Sequence, residues 1–191
     1  MNPELFQATR NSILNIDHLL NDLLSWSRSQ FGHLSPEPVS FDLSEPIQNM
    51  VLLHRPLAEQ KQITIDLELQ TPLMCYADPA MITTVVRNLL SNAVKFTPKQ
   101  GTIKLQASFD DSHVLVEIQD SGTGMAPGLR KQLFKPSSKV TSQLGTEKEK
   151  GTGLGLMLCQ EFIDKNEGVI GAESTVGQGS RFWFSLPQQS R

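Results

Sequence analysis

At 191 residues, 38% hydrophobic and 19% charged, the chain has room for one ordinary domain plus an appendage. Its apolar content suffices for a packed core and excludes a disordered polymer. The formal net charge of −3 carries no basic excess and argues against nucleic acid as the main partner. Two cysteines far apart, Cys75 and Cys159, with only four scattered histidines, exclude a disulfide framework and a zinc module and fit a reducing compartment. No basic region followed by an apolar core opens the chain, and no apolar run reaches the length of a membrane span. A cytoplasmic chain without direct membrane contact is expected, though a piece of a membrane-anchored parent would read the same.

Residues 3–32 read as one long helix. Ile13, Ile16, Leu20 and Leu23 follow coiled-coil spacing, and Leu19, Leu24 and Trp26 widen the stripe. A lone helix cannot bury that face, so a second copy of the chain is the expected partner, a homodimer through this N-terminal helix. Pro36 and Pro38 then break the helix, which divides the chain into a dimerisation segment, 1–35, and a second domain, 36–191. Ser44 to Gln60 is a helix with Ile47, Val51, His54 and Leu57 at helical spacing. ITIDLEL and LMCYA are strand-like. Asp78 is placed to cap a helix from Pro79 to Phe96, with proline at its favoured first position. TIKLQASF and HVLVEIQD alternate as two strands of a hairpin. A glycine-rich turn leads to a short helix near Leu129–Phe134. The polar run KPSSKVTSQLGTEKEK has no apolar period and reads as a mobile lid. A helix from Gly153 to Asn166 and the strands GVIGAES and SRFWFSLP close the chain. The expected fold is an α/β (α+β) sandwich: one mixed, mostly antiparallel sheet with helices on one face, behind a long coiled-coil-like helix.

Three stretches invite chemistry. On the 79–96 helix, Ile82, Val85, Val86, Leu89 and Ala93 make the core stripe, while Asn88, Asn92 and Lys95 form a second stripe about a quarter-turn away. Mid-helix asparagine costs up to roughly 0.7 kcal/mol against alanine. A solvated face would be better served by Lys or Glu; amide oxygens can instead ligate Mg²⁺, and a lysine nearby can meet phosphate. Next, the strand Val114, Val116, Ile118 runs to Asp120, and Gly122 and Gly124 follow. Pro127 stands where a third glycine would complete a dinucleotide fingerprint, and GK[ST] is missing from both glycine stretches, so neither a Rossmann site nor a P-loop fits. An ordinary Asp-Ser-Gly turn accounts for the stretch, as does a carboxylate fixed at a strand end to accept from an exocyclic amine. Finally, Gly151, Gly153 and Gly155 pass directly into a helix, whose free N–H groups and positive end suit an anion. They serve equally as a hinge; together with the other two stretches they point to a nucleotide polyphosphate.

In this order the stretches are specific. NLLSNAVKFT resembles the N box, DSGTG the first glycine box and GTGLGL the second glycine box of sensor histidine kinases. LFKP resembles the start of their F box, GQGSRFWFSLP the terminal strands, and LLNDLLSWSRSQFG the second dimerisation helix. The resemblance implies a Bergerat-type fold that binds ATP and Mg²⁺. By it, Asn92 is the Mg²⁺ ligand with Asn88 in support, Lys95 contacts phosphate, Phe96 stacks on adenine, and Asp120 accepts from the adenine amino group. Gly122 and Gly124 give the nucleotide room; Gly151, Thr152, Gly153, Leu154 and Gly155 hold phosphates; Ser180 lies near adenine through water. The implied activity is γ-phosphate transfer to a histidine on a dimerisation helix, then to a response-regulator receiver domain.

Two departures qualify that expectation. LFKPSSK has serines where the F box carries a second aromatic. None of His18, His33, His54 and His113 is followed by Asp or Glu, as the family's phosphoacceptor is, so this chain is expected to bind ATP without phosphorylating itself. Related ATPases carry Glu at the Asn88 position to activate water; an amide cannot act as a general base at neutral pH, which favours transfer over hydrolysis. A nucleotide-binding dimerisation or scaffold module without transfer activity is the alternative.

Overall fold

The computed structural model describes residues 35–130, 132–134, 144–147, 149 and 153–189. The expected 3–32 helix with its dimer seam, His18 and His33, Gly151 and Thr152, and most of the polar 135–150 run lie outside the described residues. Pro36–Arg191 forms one compact unit.

Strand β1 (Val39–Asp42) is followed by helix α1 (Ser44–Gln60), strands β2 (Thr64–Leu69) and β3 (Met74–Ala77), and helix α2 (Pro79–Phe96). Strands β4 (Thr102–Phe109) and β5 (His113–Asp120), the short helix α3 (Pro127–Arg130), helix α4 (Gly155–Lys165), and strands β6 (Val169–Thr175) and β7 (Gly179–Pro187) complete the order. Five strands form one sheet in the order β2-β4-β5-β7-β6. The β2–β4 pair is parallel and the others antiparallel, so the sheet is mixed and mostly antiparallel as expected. It is an α/β sandwich.

The sheet differs from the expectation at one edge. LMCYA does not join it; β3 pairs antiparallel with β1 in a separate two-stranded sheet, Val39 facing Ala77 and Asp42 facing Met74. The prolines that end the helical pattern therefore lead into a strand. Proline cannot donate to a ladder, and here it stands just ahead of the paired residues.

Period-two alternation decides which face the helices cover. Ile103, Leu105 and Ala107 on β4, Val114, Val116 and Ile118 on β5, and Phe182, Phe184 and Leu186 on β7 are buried. Their neighbours Lys104, Glu117 and Arg181 face the other way and pair across strands: Arg181 with Glu117 and Glu173, Lys104 with Glu68. Against the apolar rows lies α2, whose Ile82, Val85, Val86, Leu89, Leu90 and Val94 are fully buried. Asp78 caps it as expected: Oδ1 accepts from the N–H groups of Ala80 (2.9 Å) and Met81 (3.1 Å), and Oδ2 from that of Glu37 (3.0 Å).

Helix α1 has the expected limits but a shifted face. Ser44, Ile47, Val51 and Ala58 are buried, whereas Leu57 is 46% exposed. The stripe runs 47, 51, 58, so Leu57 falls one position out of phase. The 129–134 helix is shorter than expected: it starts at Pro127 and ends at Arg130, and 132–134 are turn. Helix α4 begins at Gly155 rather than Gly153, because Gly153 has φ +76, outside the helical region.

Candidate nucleotide site

The inward row of β5 does not stop at Ile118. Two residues further on the same face stands Asp120, 3% exposed, opposite Ser180 of β7. Strand geometry alone puts this carboxylate at the end of an apolar row. Its Oδ1 accepts the N–H of Gly122 at 2.8 Å and that of Ser180 at 3.2 Å; Oδ2 takes neither bond. Burial pushes the Asp120 carboxyl up to about 6, against the opposing pull of the Gly122 and Ser180 N–H groups. The residue is thus largely buried, and among the described residues only Oδ1 is held by hydrogen bonds.

Gly122 and Gly124 shape this end of the site by close packing of protein on protein. A Cβ on Gly122 would lie 2.5 Å from Asp120 Oδ1 and 2.6 Å from the carbonyl oxygen of Phe96. Gly124 has φ +63, and a Cβ there would lie 1.9 Å from the carbonyl oxygen of Thr175. The Phe96 carbonyl also accepts from Thr123 N–H at 3.3 Å. The first glycine stretch is therefore folded onto the C-terminal end of α2, which brings Phe96 beside Asp120. Lys95 lies with its Nζ 4.8 Å from the Phe96 ring centroid, a cation–π contact. Burial lowers the Lys95 pKa, and the Glu149 carboxylate opposes that shift.

Two turns back along α2, Asn88 is half-buried, and its Nδ2 is buried with no hydrogen-bond partner among the described residues. It faces the start of α4: a Cβ on Gly155 would sit 3.5–3.7 Å from the Asn88 amide group. An orphaned buried amide costs about 1–3 kcal/mol, a reason to look for a ligand. Asn92 is half-buried on the same helix between Asn88 and Lys95. Among the described residues no three His, Cys, Asp or Glu side chains gather as a metal cluster. The amides therefore fit Mg²⁺ only as it arrives with phosphates, taking one or two protein oxygens.

The structure thus joins Asp120, Gly122, Phe96 and Lys95 in one run of contacts and sets Asn88 against Gly155. Gly153 and Leu154 lie immediately before α4, and Leu154 is its N-cap residue. Ser180 contributes its backbone N–H to Asp120, while its hydroxyl pairs with that of Ser174 at 3.0 Å. Sequence reasoning missed Ser174, which also accepts the N–H of Met125 at 2.8 Å and so ties the first glycine stretch to β6. It also missed Gly179, at φ +92, where a Cβ would lie 1.9 Å from the Asp120 carbonyl oxygen. The GQG turn ahead of the last strand was the available signal.

Residues 77–190 match the family described as histidine kinase-, DNA gyrase B-, and HSP90-like ATPase. The sensor histidine kinase GacS of Pseudomonas protegens is 33% identical over 187 residues, covering 94% of this chain. The chain spans only about one fifth of the length of that relative (20%). Among solved structures, the catalytic domain of histidine kinase ThkA superposes with TM-score 0.69 at 29% identity, covering 80% of this chain and 96% of that one. Full-length ShkA in complex with AMPPNP gives TM-score 0.77 at 28% identity over 96% of this chain and 38% of its own. Among the described residues no helix is long and apolar enough to cross a membrane.

Proposed function

The chain belongs to the histidine kinase-, DNA gyrase B- and HSP90-like ATPases, as an ATP-binding domain of the histidine kinase type, and on that premise we propose that it binds Mg-ATP and donates the γ-phosphoryl group to a histidine. That histidine lies on a dimerisation helix outside these 191 residues, and the receiver domain of a response regulator takes the group onward. In this reading residues 1–35 form a dimerisation segment and 36–191 the catalytic domain.

The observation that carries the proposal is Asp120. A carboxylate whose Oδ1 is fixed by two N–H groups, with no bond to Oδ2 among the described residues, leaves that oxygen to accept a donor of fixed direction, and the exocyclic amine of adenine is one. Phe96, whose backbone carbonyl lies against Gly122, would offer its ring to the base. Lys95 supplies a cation for phosphate, and a polyanion beside it would offset the burial that lowers its pKa. Asn92, with Asn88 in support, would hold Mg²⁺, which neutralises phosphate charge in transfer. The N–H groups leading into α4 at Gly153, Leu154 and Gly155, with Gly151 and Thr152 ahead of them, would receive the phosphates. Asn88 cannot deprotonate water at neutral pH, which preserves the γ-phosphate for transfer.

The full chain titrated with a non-hydrolysable ATP analogue, with and without Mg²⁺, tests the site: Mg²⁺-dependent binding is expected, and no binding at millimolar nucleotide refutes it. Transfer is tested separately, by supplying a dimerisation helix with a His-Asp or His-Glu acceptor and looking for acid-labile phosphate. Nucleotide binding without transfer would leave the second reading, a scaffold module, which the absence of His-Asp or His-Glu among the four histidines favours.

A further inference from the structure

A buried lysine outside the expected site connects to it. Lys61 is the C-cap residue of α1 and is 1% exposed. Its Nζ donates toward four oxygens: the carbonyls of Val94 (2.8 Å) and Lys95 (3.2 Å), Thr146 Oγ1 (2.6 Å) and Glu149 Oε1 (3.2 Å). An ammonium has three protons, so one is shared.

The sequence explains the need. The last carbonyls of a helix lack intrahelical donors, and the Val94 carbonyl would look to residue 98, which is Pro98 and has no N–H. Lys61 supplies that proton and a positive charge where the α2 dipole is negative. The Lys95 carbonyl is met by the N–H of Thr146 at 3.1 Å. A buried ammonium requires an anion, and Glu149 provides it, with Oε2 accepting the N–H of Glu147 at 2.8 Å. Gly145 closes the turn, donating its N–H to the Glu149 carbonyl at 2.9 Å. A Cβ on Gly145 would lie 2.6 Å from Lys95 Cγ, so this turn lies against the stem of Lys95.

We infer that Lys61 is a positioning residue for nucleotide binding: it fastens the Gly145–Thr146 turn to the last turn of α2, and that turn fixes the side chain of Lys95 beside Phe96. The inference rests on the nucleotide reading above. A residue that merely capped α2 would act on stability and independently of Lys95.

The test is a double-mutant cycle on the full chain, titrating AMPPNP with Mg²⁺ into wild type, Lys61→Met, Lys95→Met and the double variant. Wild type that does not bind overturns the nucleotide reading and this inference with it. Given wild-type binding, each single variant is expected to weaken affinity about tenfold, and the double variant about tenfold rather than a hundredfold, because both losses pass through one side chain. Wild-type affinity in Lys61→Met, or losses that multiply, overturns the positioning role while leaving the site standing. If circular dichroism shows Lys61→Met unfolded, Gly145→Ala takes its place in the same cycle. Its Cβ would press on Glu149 Oε2 (2.3 Å) and on Lys95 Cγ (2.6 Å), disturbing both the turn and the lysine it holds, and wild-type affinity there overturns the inference equally.

Discussion

Replacing Asp120 by asparagine should make the ligand-free protein more stable while removing nucleotide binding. The carboxyl titrates at about 6 in the folded chain against 3.8 when exposed. Between those values the folded state binds more protons than the unfolded one, so stability falls as pH rises through the interval. The penalty is absent below the unfolded pKa and complete above about 6. A gap of about 2 units corresponds to about 3 kcal/mol. Asparagine keeps an Oδ1 acceptor for the N–H groups of Gly122 and Ser180 but places an amine where Oδ2 stood, which returns roughly 1 kcal/mol or more. The net gain at pH 7.5 is about 1–2 kcal/mol, or roughly 2–8 °C in Tm for a chain of this size. Scanning calorimetry of both ligand-free proteins from pH 4.5 to 8 should show the variant's advantage growing with pH and levelling above 6. Added Mg-nucleotide should raise the wild-type Tm alone. A variant less stable at pH 7.5, or an advantage that does not change with pH, would refute the picture of a carboxylate whose pKa is raised by burial.

Asn88→Ala removes a buried amide with no partner and gains helix propensity. Denaturant titration should show about 1 kcal/mol or more of added stability, alongside slower phosphoryl transfer once an acceptor helix is supplied. Gly124→Ala forces a side chain into φ +63 and onto the Thr175 carbonyl; the variant should lose about 2 kcal/mol or more of stability, and an unchanged denaturation midpoint would contradict the close approach. The Cys75 thiol is pushed up to about 12, chiefly by burial with Asp42 adding to it, and Cys159 is also buried. Neither should react with a thiol reagent at pH 8 within minutes, and both should react in denaturant.

Much of the fold is legible because its periodicities are local. The core stripe of α2, the Asp78 cap and the inward rows of β4 and β5 each follow from spacing within one element. The failures are relational. The stretch 39–42 declares no element until β3 is seen beside it, since a strand of four residues carries little pattern of its own. Leu57 fits a helical stripe on paper, yet α2 and β2 decide which side of α1 is dry. The candidate site divides similarly. Asp120, Asn88 and Lys95 stand out because their chemistry is odd for their positions. Lys61 follows helix α1 as one more basic residue, and only the folded chain brings it to α2. Gly122 reads as space for a ligand, whereas its missing Cβ is required by the Asp120 carboxylate and the Phe96 carbonyl.

The row Val114, Val116, Ile118, Asp120 makes a hydrocarbon wall and the carboxylate proposed to select the base consecutive members of one series. Whatever thins or fills that wall alters how dry the carboxylate is, and thereby its affinity for a proton and for an amine together. Ile118→Val, a change that meets no ligand, should retune nucleotide affinity and its acid limit in step. Such a domain can drift in ligand strength through mutations that look purely structural, so its binding constant is inherited partly from its interior.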